Sequence, residues 1–81
     1  DALDESLVAF KKAVAINPQY SEAYYNMGVA YAKKDQLDEA IKSLQKALEL
    51  NPNDDKPHFA LGVIYQAKRK AKVTGGKSEK P

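Results

Sequence analysis

Apolar residues fall in four phased blocks along the chain, and each block has a helical period. In the clearest block, Leu37, Ala40, Ile41, Leu44, Ala47 and Leu48 follow the spacing i, i+3, i+4, i+7, i+10 and i+11. That spacing draws one continuous apolar stripe along an α-helix. Residues 3–16 repeat the design with Leu3, Leu7, Phe10, Ala13 and Val14. Segment 21–34 aligns Tyr24, Met27, Gly28 and Tyr31 on one face, and segment 55–70 aligns His58, Leu61, Gly62 and Tyr65. Pro18 and Pro52 end the first and third blocks, because the residue before a proline is pushed out of helical geometry. Ser21, Asp35 and either Asp54 or Asp55 are the expected caps of the second, third and fourth helices. Asp38 and Glu39 suit the positive end of a helix dipole, and Pro57 falls in a first turn, where proline is tolerated. The expected fold class is all-α.

The blocks are copies of one another. Sliding the chain against itself by 34 residues gives 12 identities in the 35 pairs from Asp1/Asp35 to Asp35/Arg69. Leu3-Asp4-Glu5 falls on Leu37-Asp38-Glu39, Lys12-Ala13 on Lys46-Ala47, Asn17-Pro18 on Asn51-Pro52, Gly28-Val29 on Gly62-Val63, and Tyr31 on Tyr65. Phe10/Leu44, Ile16/Leu50, Met27/Leu61 and Tyr24/His58 are chemically similar pairs. The glycines constrain the architecture. A mid-helix glycine costs about 1 kcal/mol relative to alanine, so its recurrence at one phase requires compensation. Close approach of a neighbouring helix supplies it, and Ala40 and Ala47 offer that neighbour a small face.

The run Tyr24-x2-Met27-Gly28-x2-Tyr31-x8-Ala40-x3-Leu44-x2-Ala47-x4-Pro52 resembles the tetratricopeptide signature of W-x2-L-G-x2-Y followed by A, F, A and P. Tyr24 and His58 stand where the family prefers tryptophan, and Ser6 where it prefers alanine. The resemblance implies a helical-repeat solenoid of four antiparallel helices over residues 1–70; Thr74 and Gly75 then depart from the repeat, and residues 71–81 are expected to be a flexible, disordered basic tail. Residues 1–20 match a second half-repeat, 21–54 a full repeat and 55–70 a first half-repeat.

Two partner readings follow, and both stay open at this point. The resemblance implies a concave side lined by the first helix of each repeat. Carried over by position, that side presents Glu22, Tyr25, Asn26, Val29 and Lys33, then Lys56, Phe59, Ala60, Val63 and Gln66. This mixture of aromatic, amide and charged groups suits an extended peptide or a partner helix; the alternative is plain solvated helix surface. Some family members clamp the C-terminal carboxylate of chaperones with lysine and asparagine. Asn26 and Lys56 match two clamp positions, but Ala60 stands where the clamp has arginine. The second reading is a self-assembling homo-oligomer. The two half-repeats are complementary, since residues 55–68 followed by Asp1 onward complete a repeat in phase. Apolar stripes with Leu7 and Phe10 at one end, and Leu61, Ile64 and Tyr65 at the other, are expected to be exposed and to meet between chains.

Charge and composition narrow the rest. Residues 1–67 carry seven Lys against ten Asp/Glu, a balance of −3, whereas residues 68–81 carry +5. The basic run Lys68-Arg69-Lys70-Ala71-Lys72 has no interleaved aromatic residue, which argues against base stacking and nucleic acid as a partner. It complements the negative end of a helix dipole instead. There is no cysteine, so disulfides, zinc knuckles and thiol nucleophiles are excluded, and a reducing, cytoplasmic location is expected. No apolar run is long enough to be a transmembrane segment. The chain opens on Asp1 rather than methionine and is expected to be processed or cut from a longer one. The only histidine, His58, sits at a packing position and is expected to be partly buried rather than catalytic. No second histidine or cysteine accompanies it for a metal, so neither an enzyme activity nor a cofactor is expected. The carboxylate pairs Asp4-Glu5, Asp38-Glu39 and Asp54-Asp55 sit at helix starts. Gly75-Gly76-Lys77-Ser78 lacks the first glycine and flanking strand of a phosphate loop.

Overall fold

The computed structural model describes residues 1–76, with side chains as far as Lys70. Four helices follow one another: α1 (Ala2–Ile16), α2 (Ser21–Lys33), α3 (Leu37–Leu50) and α4 (Asp55–Gly76). Each packs against the next, and α2 also reaches α4. The array is an all-α stack of antiparallel helices, with α2 at its centre.

The turns explain the stops. Asn17 and Asn51 both leave helical backbone (φ −129° and −144°), as the proline that follows each demands. Both then close the same turn, with the Tyr20 amide donating to the Asn17 carbonyl at 3.1 Å and the Asp54 amide to the Asn51 carbonyl at 3.2 Å. The next position is the cap. Asp54 accepts from the Lys56 amide at 3.1 Å, as the sequence anticipates. Tyr20 stands at the matching place, but its distant phenol makes no cap hydrogen bond, so α2 starts without a side-chain cap. Ser21, expected to cap α2, is its first helical residue instead, because the turn delivers the chain one residue earlier.

Asp35 is a second correction. It does not cap α3, which starts from Gln36. Its φ is +65°, and its amide donates to the Ala32 carbonyl while the Gln36 amide donates to that of Tyr31, both at 2.9 Å. This pair of bonds is a Schellman turn, with Asp35 in the left-handed position usually held by glycine. The same turn explains where α4 ends. Arg69 occupies the position 34 residues after Asp35, and a long side chain does not tolerate left-handed backbone as aspartate does. The helix therefore runs on past Arg69 through Lys70, Ala71 and Lys72, which favour helix, and reaches Gly76. The expected end at residue 70 and the tail assigned to 71–76 are corrected accordingly; residues 77–81 lie outside the described residues.

The core has two centres. Leu7, Met27 and Ala30 are buried together, with Leu3, Phe10, Val14, Tyr24 and Tyr31 packed around them. Ala40, Leu44 and Ile64 form the second centre, ringed by Tyr25, Tyr31, Ile41, Leu61 and others. Tyr31 touches both and joins them. Gly28 lets α3 come close, since a Cβ on it would stand 2.6 Å from Leu44 Cγ and 3.2 Å from the Ala40 carbonyl oxygen. The expected compensation therefore exists at Gly28. At Gly62 no atom lies within 4 Å of the point a Cβ would occupy, so its partner is not among the described residues.

Burial corrects the expected terminal stripes. Leu7 and Ile64 are buried inside the chain and cannot meet another copy. Phe10 and Leu61 are half-buried against those same centres, and Tyr65 alone of the five is exposed. The physical reason is that an apolar stripe on a solenoid helix serves two neighbours. Leu7 and Ile64 lie on the side already served by α2 and α3.

Candidate functional site

The first helices of successive repeats, α2 and α4, lie side by side and leave a concave strip between them. Its central pocket, of about 320 Å³, is lined by Tyr25, Val29, Ala32 and Lys33 from α2 and by Phe59, Ala60, Val63 and Ile64 from α4. Most of these are three or four residues apart on their helix, which brings each set onto one side. Phe59 is 76% exposed and Val63 51% exposed, so the pocket presents apolar surface to solvent above a floor that includes buried Ile64. Lys56 stands over the Tyr25 ring, with Nζ 5.8 Å from its centre, a distance at which a cation is attracted to the ring face. The same ammonium approaches Asp54 Oδ1 at 3.4 Å.

A second, smaller depression of about 180 Å³ adjoins the first between α1 and α2, lined by Leu3, Ser6, Phe10, Asn26, Val29, Ala30 and Lys33. Val29 and Lys33 belong to both, so the two form one strip. A third, of about 280 Å³, lies on the outer side of α4 and is lined by His58, Phe59, Gly62, Val63 and Gln66.

Of the residues expected on the concave side, Tyr25, Val29, Lys33, Phe59, Ala60 and Val63 line the central pocket. Lys56 borders it through Tyr25. Asn26 lines the α1–α2 depression, and Gln66 the outer one. Glu22 is exposed and lines none of these hollows. Asn26 and Lys56 therefore line no common pocket, which gives no support to a carboxylate clamp. Sequence phase missed Ala32 and Ile64 at the floor, and Leu3, Ser6 and Phe10 across from Asn26. All five sit where two helices cross, and a period along one helix does not locate a crossing.

His58 is exposed, not partly buried as expected. Its Nε2 lies 3.1 Å from the Pro52 carbonyl oxygen, so that nitrogen carries the hydrogen. The matching residue Tyr24 is half-buried. His58 has no equivalent cover among the described residues. Those residues contain no group of three or more His, Asp or Glu placed to hold a metal, and no described helix is long and apolar enough to cross a membrane.

Three family models match the chain: a tetratricopeptide repeat over residues 21–54, a TPR repeat over 2–35 and a further tetratricopeptide repeat over 43–78. Together they span residues 2–78, and the chain belongs to the tetratricopeptide repeat family. No curated protein matches it. Tetratricopeptide repeats mediate protein–protein interactions, and the fold and the family agree on that class of role.

Proposed function

We propose that the chain binds a peptide or a partner helix along the strip between α2 and α4, and that the occupant carries an apolar side chain with carboxylates beside it. The observation that carries this reading is Phe59. A phenylalanine 76% exposed over a concave apolar floor is costly surface unless something covers it. The polar groups around it define the partner's charge. Lys33 lines the pocket and Lys56 flanks it, while Glu22, the only acid expected on this side, lies outside it. Such a border favours an acidic occupant, and charge of this kind selects partners and orientation more than it adds affinity.

Panning a random peptide display library against the chain tests the proposal. The expected binders carry an aromatic or aliphatic residue next to Asp or Glu, and Phe59→Ala abolishes their capture. Phe59 is so exposed that its removal leaves the fold intact. Binders indifferent to Phe59→Ala, or basic in composition, would count against it.

A second reading is a self-assembling scaffold, in which half-repeat 55–70 of one copy and half-repeat 1–20 of the next complete a repeat.

A further inference from the structure

We infer that the occupant of the strip is an amphipathic helix running antiparallel to α2 and α4, with an acidic first turn beside Lys33 and Lys70. This deepens the peptide-binding reading and rests on it. Two columns of side chains point to it. On α2, Glu22, Tyr25, Val29 and Lys33 follow one another at steps of three or four residues. On α4, Asp55, Phe59, Val63, Ala67 and Lys70 do the same. Such steps keep a column on one side of its helix. Each column begins with an acid, passes through the apolar lining of the central pocket and ends on a lysine. The two helices run in the same direction, because α3 turns back between them. Both acids therefore lie at one end of the strip and both lysines at the other, and all four are exposed.

Neighbouring charges leave that polarity intact. Lys56 is 3.4 Å from Asp54, while Lys34 and Lys68 are held by Asp4 and Asp38. Asp35 lines a separate hollow with Asp38 and Lys68.

The pocket itself selects a helix over an extended chain. Its only polar side chains are Tyr25 and Lys33, and the backbone groups of α2 and α4 are paired within their own helices. An extended chain pressed into it would bury N–H and C=O groups without partners, at a cost. A helix satisfies its own backbone, and its i and i+4 side chains match the four-residue step from Tyr25 to Val29 and from Phe59 to Val63.

Direction then follows from charge. A helix is stabilised by acids in its first turn and bases in its last. Such a helix matches both ends of the strip only when antiparallel, with its acids beside Lys33 and Lys70 and its bases beside Glu22 and Asp55. Rim pairs of this kind fix orientation.

Two synthetic peptides of the same composition test this, each with blocked ends and a leucine pair four residues apart. One carries glutamates in its first turn and lysines in its last; the other has the reverse order. Fluorescence anisotropy with the whole chain is expected to show the first binding at least about tenfold more tightly, the sum of a few rim ion pairs. A central proline in that peptide is expected to remove binding, because proline breaks the helix. A spin label on its N-terminus is expected to broaden the amides of Lys33 and Lys70 and spare those of Glu22 and Asp55. The variant Glu22→Lys/Lys33→Glu/Asp55→Lys/Lys70→Glu, shown to be folded by circular dichroism, is expected to prefer the second peptide, which a mere difference in peptide helicity does not produce. Equal affinities, broadening at Glu22 and Asp55, or binding undiminished by the proline overturns the antiparallel helix; the strip reading stands in those cases if Phe59→Ala still abolishes binding. Binding of neither peptide also overturns the helix, and display-selected binders that need Phe59 would then leave the strip reading standing.

Discussion

Lys68 places its Nζ 2.6 Å from Asp38 Oδ1, and Lys34 holds Asp4 at the same 2.6 Å. The two pairs are one contact repeated after 34 residues. In each, a lysine near the end of one repeat's first helix ties down the start of the preceding second helix. Each lysine, by its hydrogen bond first and its charge beside that, holds the aspartate's carboxyl below the usual carboxylate range.

Acid should therefore loosen the stack in a defined window. In the unfolded chain both carboxyls titrate near about 3.9, and in the folded chain lower. The stabilisation is fully present above that value and is lost as pH falls through it towards the folded values. Both groups are exposed, so the effect is small and shrinks with salt. Urea denaturation between neutral pH and about pH 3 checks this. Wild type should lose more stability over that range than the double variant Asp4→Asn/Asp38→Asn; parallel curves would contradict it.

The two helix glycines should respond in opposite directions to the same substitution. At Gly28 an added methyl meets Leu44 within 2.8 Å, and Leu44 is fully buried with nowhere to go. Overpacking costs about 1–3 kcal/mol, against a helix-propensity gain of about 1 kcal/mol, so Gly28→Ala is destabilising. At Gly62 the methyl meets nothing, so Gly62→Ala stabilises a single molecule by up to about 1 kcal/mol. Thermal denaturation at low concentration reads both; equal effects would refute the packing account.

The helix ends offer two stabilising changes. Tyr20→Asp gives α2 the cap that Asp54 gives α4, worth about 0.5–2 kcal/mol. Asp35→Gly relieves a left-handed aspartate at φ +65°. The relief of about 1–2 kcal/mol is partly offset by the greater freedom of glycine when unfolded, leaving a net gain below about 1 kcal/mol. Both should raise the denaturation midpoint, and a lowered midpoint for either would show that its turn is misassigned.

What the sequence could reveal follows from which properties are local. The stripe Leu37, Ala40, Ile41, Leu44, Ala47, the proline stops and the shared side of Tyr25, Val29, Phe59 and Val63 depend on spacing along one helix, and all are legible. The burial of Leu7 and Ile64 depends on which of two neighbours a stripe faces, and period alone does not say. The separation of Asn26 from Lys56 depends on where helices cross. The run of α4 to Gly76 turned on one residue, Arg69 in place of the aspartate that makes the earlier turn. That signal was present in the aligned pair Asp35/Arg69.

The central claim is that the strip between α2 and α4 is the partner-binding surface. Amide chemical-shift mapping, with the labelled chain titrated by a display-selected peptide, tests it most directly. The account predicts shifts concentrated around Tyr25, Val29, Lys33, Phe59 and Val63, with Phe59→Ala removing them. Shifts centred instead on Phe10, Gly62 and Tyr65, or spread evenly over all four helices, would contradict it.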